Sequence, residues 1–167
     1  VTGSTSGIGR ETTLGLLKNK IKVIGLGRDH KKFKTKLDGY FPITIDLSDF
    51  ASISDTLPRV LRDHPKIDIF VGNAGYGDFK SLENFSDKQI CDFLNLNLTS
   101  HILISKYLVR HMKSGTGGDI IFLGSEAALA GKRRASLYSA AKFGLRGFAQ
   151  ALRDECGNAG IRVCLVN

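Results

Sequence analysis

Eight residues near the start, Thr2-Gly3-Ser4-Thr5-Ser6-Gly7-Ile8-Gly9, constrain this chain more than any other stretch. Glycines at 3, 7 and 9, ahead of an amphipathic run, mark a turn that joins a strand to a helix. Such a turn exposes free backbone N–H groups at the helix start, where they and the helix dipole favour an anion. Each glycine has its own expected task. Gly3 lets the chain reverse sharply, Gly7 lets the backbone come close to a phosphate, and Gly9 lets the helix pack on the sheet. Similar turns also close purely structural β-α joints, so this one gains meaning only from its surroundings.

Those surroundings alternate apolar runs with amphipathic stretches, which predicts repeated β-α units and a parallel sheet. Val1-Thr2 reads as the tail of a strand whose beginning is missing. The expected elements are a helix from Gly7 to about Lys20, a strand at 21–26, a short basic helix to about Leu37 and a strand at 41–46. Ser48 is placed to cap a helix running through Leu57 and Leu61, with Pro58 inside it. A strand at 67–71, a short helix capped by Ser86 and a longer helix from about Leu96 to Lys113 follow. A strand at 119–123, a long helix from Ser136 to about Gly157 and a strand at 161–166 complete the pattern. The fold class is α/β: a Rossmann-like, doubly wound parallel sheet with helices on both faces, truncated at both ends. Residues 1–167 suit a single domain.

Composition narrows the function classes. No stretch approaches the roughly 20 apolar residues that span a bilayer. Cys91, Cys156 and Cys164 form no C-x-x-C pair and read as reduced thiols of a cytoplasmic protein. The histidines lack metal-ligand spacing, so no metal site is expected. A formal net charge of +8 raises a nucleic-acid partner, but the basic residues read as solvated helix faces and loops. The densest cluster, His30-Lys31-Lys32-Phe33-Lys34-Thr35-Lys36, follows the second strand. The adenosine end of a dinucleotide would lie there, and a positive field helps a phosphorylated ligand. That strand ends in Leu26-Gly27-Arg28: Gly27 leaves room and Arg28 can pair with a 2′-phosphate, favouring NADP over NAD. Asp29 either partners Arg28 or reaches a ribose hydroxyl.

The second informative set lies far downstream. Tyr138 and Lys142, four residues apart in an expected helix, share one face. A free phenol titrates near 10 and is a poor base at neutral pH, whereas a nearby ammonium stabilises phenolate. Tyr138 could then take a proton from an alcohol as hydride leaves, or return one to an alkoxide. Ser125 follows the fifth strand, where its hydroxyl could hold a substrate oxygen. Asn97 could hold a water beside Lys142. Taken singly these residues are ordinary: a helix pair, a turn serine, an N-cap. Joined to the glycine turn they predict hydride transfer.

These residues resemble the short-chain dehydrogenase/reductase family. Thr2 to Gly9 match its T-G-x-x-x-G-I-G, Asp46-Leu47 its Asp-Leu pair, and Asn73-Ala74-Gly75 its N-A-G segment. Asn97, Ser125 and the Y-x-x-x-K of Tyr138 to Lys142 match its catalytic set. The resemblance implies a catalytic role for Asn97, Ser125, Tyr138 and Lys142. It implies a cofactor-facing set of Gly3, Ser4, Thr5, Ser6, Gly7, Ile8, Gly9, Asp46, Leu47, Asn73, Ala74 and Gly75, with Tyr138 and Lys142, to which the charge argument adds Arg28. It implies a nicotinamide cofactor, with NADP(H) over NAD(H) resting on Arg28, a small carbonyl or alcohol substrate, and a homodimer or homotetramer built on helix faces. Ala140, Ala141, Gly144, Gly147 and Ala149 suit such close packing, or packing within the monomer. Two departures stand out: Gly72 replaces the first asparagine of N-N-A-G, and Ser6 stands where many NADP-binding members carry a basic residue. The family continues beyond Val166-Asn167 into a substrate loop and a further strand, so the chain reads as a fragment of a longer enzyme.

Three other readings stay open. A non-catalytic NADP sensor or scaffold would keep the turn and need no acid/base set. An epimerase or dehydratase of the extended type usually shows T-G-x-x-G-x-x-G, unlike the spacing of Gly3 and Gly7 here. A nucleic-acid binder would need steep salt dependence. Lys132-Arg133-Arg134, beside the expected site, either greets an anionic substrate or is a solvated loop.

Overall fold

The computed structural model describes residues 1–33 and 36–167. Helix α1 (Gly7–Lys18) leads to β1 (Val23–Gly27), then β2 (Tyr40–Thr44), α2 (Phe50–Asp63) and β3 (Ile69–Gly72). Helix α3 (Asp87–Leu94) and α4 (Ser100–Lys113) precede β4 (Gly118–Leu123), α5 (Ser136–Cys156) and β5 (Ile161–Val166). All strand pairs are parallel: β1 with β2, β3 with β4, and β4 with β5. Val1-Thr2 joins the two groups. Thr2 bridges Leu26, and its N–H donates to the Val71 carbonyl at 3.0 Å. The order across the sheet is therefore β2, β1, Val1-Thr2, β3, β4, β5, with the direction of winding reversing at Val1-Thr2 and β3.

Right-handed crossovers put helices on both faces. Leftward steps from Val1-Thr2 place α1 on one face; rightward steps from β2 onward place α2, α4 and α5 on the other. Contacts of α2 with α4 and of α4 with α5 agree. The main core lies under those three helices, where Ile53, Leu57, Ile104, Leu108 and Leu145 meet Phe70, Ile120 and Phe122 of the sheet. A smaller cluster, Phe85, Phe93, Leu137 and Ala141, fastens α3 to α5.

Several local expectations change. Among its described residues the basic segment after β1 forms a 3₁₀ turn at His30–Lys32, capped by Asp29, whose carboxylate accepts from Lys31 N–H at 3.0 Å. Lys34 and Thr35 lie outside the described residues. Asp49, not Ser48, caps α2: its carboxylate accepts from Ala51 N–H, while Ser48 bonds to Asp46. Ser86 does cap α3, in a reciprocal box with Gln89. Asn97 begins no helix: α3 and α4 are continuous through a π-helical turn, Asn95–Thr99. The small-residue stripe of α5 is split, with Ala141 and Ala149 in the core, Gly144 against Leu98, and Ala140 and Gly147 exposed.

Candidate active site

Gly3 and Gly7 take positive φ, 63° and 50°, a region in which a Cβ is strained. At Gly9 the requirement is close approach: a Cβ there would run into the Gly3 carbonyl and the Asn73 amide. Ser6 leads into α1 in extended conformation, and its side chain makes no capping bond. The first N–H groups of α1 are thus left for an external anion.

Thr2 welds this turn to the end of β3. Its buried hydroxyl accepts from both Asn73 N–H and Ala74 N–H at 2.9 Å, and donates to the Val71 carbonyl at 3.4 Å. Asn73 Nδ2 returns a bond to the Thr2 carbonyl at 2.9 Å. A hydroxyl can accept twice and donate once; an apolar side chain of the same size would strand the buried Ala74 N–H and the half-buried Asn73 N–H.

The turn, the 73–77 segment and one face of α5 enclose a cavity of about 400 Å³. Gly3, Ser6, Gly7 and Ile8 line one side; Asn73, Ala74, Gly75 and Asn97 lie across it; Tyr138 and Lys142 close it, with Leu123 and Gly124 from the end of β4. It sits at the carboxyl ends of the strands where their order reverses, the crevice in which open α/β sheets bind ligands. Lys142 is only 5% exposed; its ammonium donates to the Leu123 carbonyl at 2.7 Å and lies 5.8 Å from the centre of the Tyr138 ring. Burial holds its pKa below that of an exposed lysine.

Ser4, Thr5, Arg28, Leu47 and Ser125 are not in the lining of this cavity. Ser4 and Thr5 point inward: Ser4 is fully buried and shares a hydrogen bond with the Tyr40 hydroxyl at 2.8 Å, which also bonds His30 Nδ1. Leu47 packs in the core. Arg28 is exposed beyond β1 and lowers the pKa of Asp46 through space, after the two bonds from Ser48. Ser125 does not line the cavity, although its neighbour Gly124 does. It caps a 3₁₀ turn, its hydroxyl oxygen accepting from Ala127 N–H at 3.1 Å. Asn97, in the cavity lining, is buried and bonds backbone on two sides: Nδ2 donates to the Phe93 carbonyl and Oδ1 accepts from Tyr76 N–H, both at 3.0 Å.

Comparison with known proteins agrees with this geometry. The family model described as short chain dehydrogenase matches residues 1–167. The chain belongs to the short-chain dehydrogenase family. Curated relatives include 3-oxoacyl-acyl-carrier-protein reductases of Buchnera aphidicola subsp. Schizaphis graminum, 34% identical over the whole chain, and of Haemophilus influenzae, 33% identical over 99% of it. The chain spans 70% of each of those relatives. Among solved structures, a short-chain dehydrogenase from Streptomyces avermitilis matches the whole chain with a TM-score of 0.94 and 25% identity, over 63% of its own length. A metagenomic short-chain oxidoreductase in complex with NADP gives 0.92 and 26%, over 99% of this chain and 77% of its own. Members of this family are NAD(P)-dependent oxidoreductases acting on CH–OH and carbonyl groups.

Within that family frame the sequence left some site residues unread. Tyr76, Gly77, Leu123 and Gly124 line the cavity; their only signal is their place just after a motif or at a strand's carboxyl end. His101 is fully buried behind it, with Nε2 on the Ala74 carbonyl at 2.9 Å. A side chain at residue 72 would collide with His101 and Phe122, which accounts for the glycine there. A larger hollow of about 810 Å³ opens at the opposite ends of the strands, among Ile24, Phe41, Leu57 and Phe70, and none of the motif residues lines it.

Proposed function

We propose that the protein transfers hydride between NADP(H) and a carbonyl or secondary alcohol, with Tyr138 as the acid/base. The observation that carries this reading is the shared cavity: the glycine turn and the Tyr138–Lys142 pair line the same 400 Å³ space. The turn fits a dinucleotide, because Gly7 offers open space at positive φ and α1 begins with uncapped N–H groups. Gly3, Ser6, Gly7 and Ile8 would hold the pyrophosphate, Asn73, Ala74 and Gly75 would flank the riboses, and Arg28 would meet the 2′-phosphate. A bound nicotinamide supplies or accepts the hydride.

The chain's own residues then handle the proton. In reduction the Tyr138 hydroxyl donates to the carbonyl oxygen as it gains negative charge; in oxidation the phenolate takes that proton back. The Lys142 ammonium keeps one N–H on the Leu123 carbonyl, leaving two donors for the phenolate and a ribose hydroxyl. Its lowered pKa makes its own proton easier to release. Ser125, whose oxygen accepts from Ala127, retains its hydroxyl hydrogen for a substrate oxygen. Asn97 acts by fixing Tyr76 against α3.

The reductases among the relatives make 3-oxoacyl thioesters one substrate class to try. The free thiols support a reducing, cytoplasmic setting. No helix among the described residues is long and apolar enough to cross a membrane. The test is a panel of ketones, secondary alcohols and 3-oxoacyl thioesters assayed with NADPH and NADH side by side. Turnover with NADPH preferred supports the reading; NADPH binding without turnover of any member of the panel would favour a sensor instead.

A further inference from the structure

The segment between β3 and α3 places an aromatic wall against the proposed acid/base. Phe93, fully buried, is the base of the wall. The Tyr76 ring meets it edge-on at 5.0 Å between centres, and the Tyr138 ring at 6.4 Å. Phe79 then packs edge-on against Tyr138 itself at 5.4 Å, yet remains 63% exposed. Gly77 and Tyr138, both beside its ring, line the cavity, which puts Phe79 at its rim.

A large exposed aromatic ring ordinarily wanders. Here its neighbours hold it. The Phe79 ring lies on the Gly77 backbone so closely that a Cβ at residue 77 would be 2.7 Å from Cε2. On either side, Asp78 and Lys80 form an ion pair at 3.2 Å, and the Lys80 ammonium sits 4.1 Å from the centre of the Phe85 ring. Phe85 is buried in the cluster that joins α3 to α5. The loop is thus tied to the helix that carries Tyr138, and an apolar surface is kept beside the phenol.

Resting on the oxidoreductase reading above, we propose that Phe79 is a specificity-determining residue that receives the apolar substituent next to the reacting carbonyl. The favoured substrate class is ketones, or the matching secondary alcohols, with an aryl group on the carbonyl carbon. An aromatic substituent stacks edge-on against Phe79 as Tyr138 does, gaining area burial and ring–ring attraction. A short alkyl substituent reaches neither.

The test compares kcat/KM for acetophenone and 2-butanone with NADPH, in the parent protein and in Phe79→Ala, Phe79→Leu and Gly77→Ala. The parent is expected to prefer acetophenone by about tenfold or more, the size of effect that an apolar pocket contact supplies. Phe79→Ala should cut that ratio by at least about fivefold, mainly through the KM of acetophenone, and Phe79→Leu should recover part of it. Gly77→Ala, which displaces the ring without removing it, should lower the ratio as well. Turnover without an aryl preference, or a preference that Phe79→Ala retains, overturns this inference alone. A parent protein that turns over another member of the wider panel but neither ketone also overturns this inference alone; NADPH binding with no turnover of any panel member overturns the oxidoreductase reading, and this inference with it.

Discussion

His101 should cost this protein stability in mild acid. Its Nε2 donates to the Ala74 carbonyl at 2.9 Å, so the neutral Nε2–H tautomer is required and Nδ1 has no partner. Around it stand the Phe122 ring, Gly72 and, through space, the Lys142 ammonium. Desolvation first, and the Lys142 charge second, lower its pKa from 6.5 to about 4. In the unfolded chain the imidazole binds a proton below 6.5; in the folded chain it does so only near 4. The unfolded state therefore binds more protons in that window, and stability falls as pH drops through it. Linkage between those two values gives a loss of about 2 kcal/mol between pH 7 and pH 5. The assay is urea unfolding at both pH values for the parent and for His101→Gln, which keeps a donor near Ala74 but does not titrate. The parent should lose about 2 kcal/mol more than the variant over that interval. Equal losses, or a His101 imidazole that titrates above pH 6 by NMR, would refute the burial argument.

Other predictions follow from single contacts. Arg28→Asp should weaken NADPH binding by about 10- to 100-fold relative to NADH, the scale of a lost charge-assisted bond; fluorescence titration of both cofactors measures it. Asn97→Ala strands Tyr76 N–H and the Phe93 carbonyl, so denaturant unfolding should show a loss of about 2 kcal/mol or more. Gly9→Ala forces a methyl into the Gly3 carbonyl and the Asn73 amide. It should cost about 1–3 kcal/mol and reduce NADPH affinity along with stability.

What could be read from the sequence, and what could not, divides along physical lines. Gly3, Gly7 and Gly9 were legible because positive φ and close approach admit few other residues. The Tyr138–Lys142 face was legible because helical periodicity fixes which side chains are neighbours. The parallel sheet with helices on both faces followed from β-α alternation, whereas its strand order comes from the pairing of Thr2 with Leu26 and Val71. By contrast, Ser48 and Asp49 are both good cap residues, and only Asp46 drawing off the Ser48 hydroxyl decides between them. The π-helical turn at Asn95–Thr99 shifts one hydrogen-bond register and leaves no side-chain pattern. The inward turn of Ser4 depends on Tyr40, 36 residues away. His101 and Phe79 carry no motif; burial beside Ala74 and a braced loop give them their meaning.

The account rests on the proton passing through Tyr138, and Tyr138→Phe examines that step with one atom removed. Single-turnover reduction of an accepted ketone, followed at the NADPH absorbance band, should slow by about a hundredfold or more, while fluorescence titration still shows the variant binding NADPH. A variant that binds NADPH and reduces the ketone at the parent's rate would contradict the account.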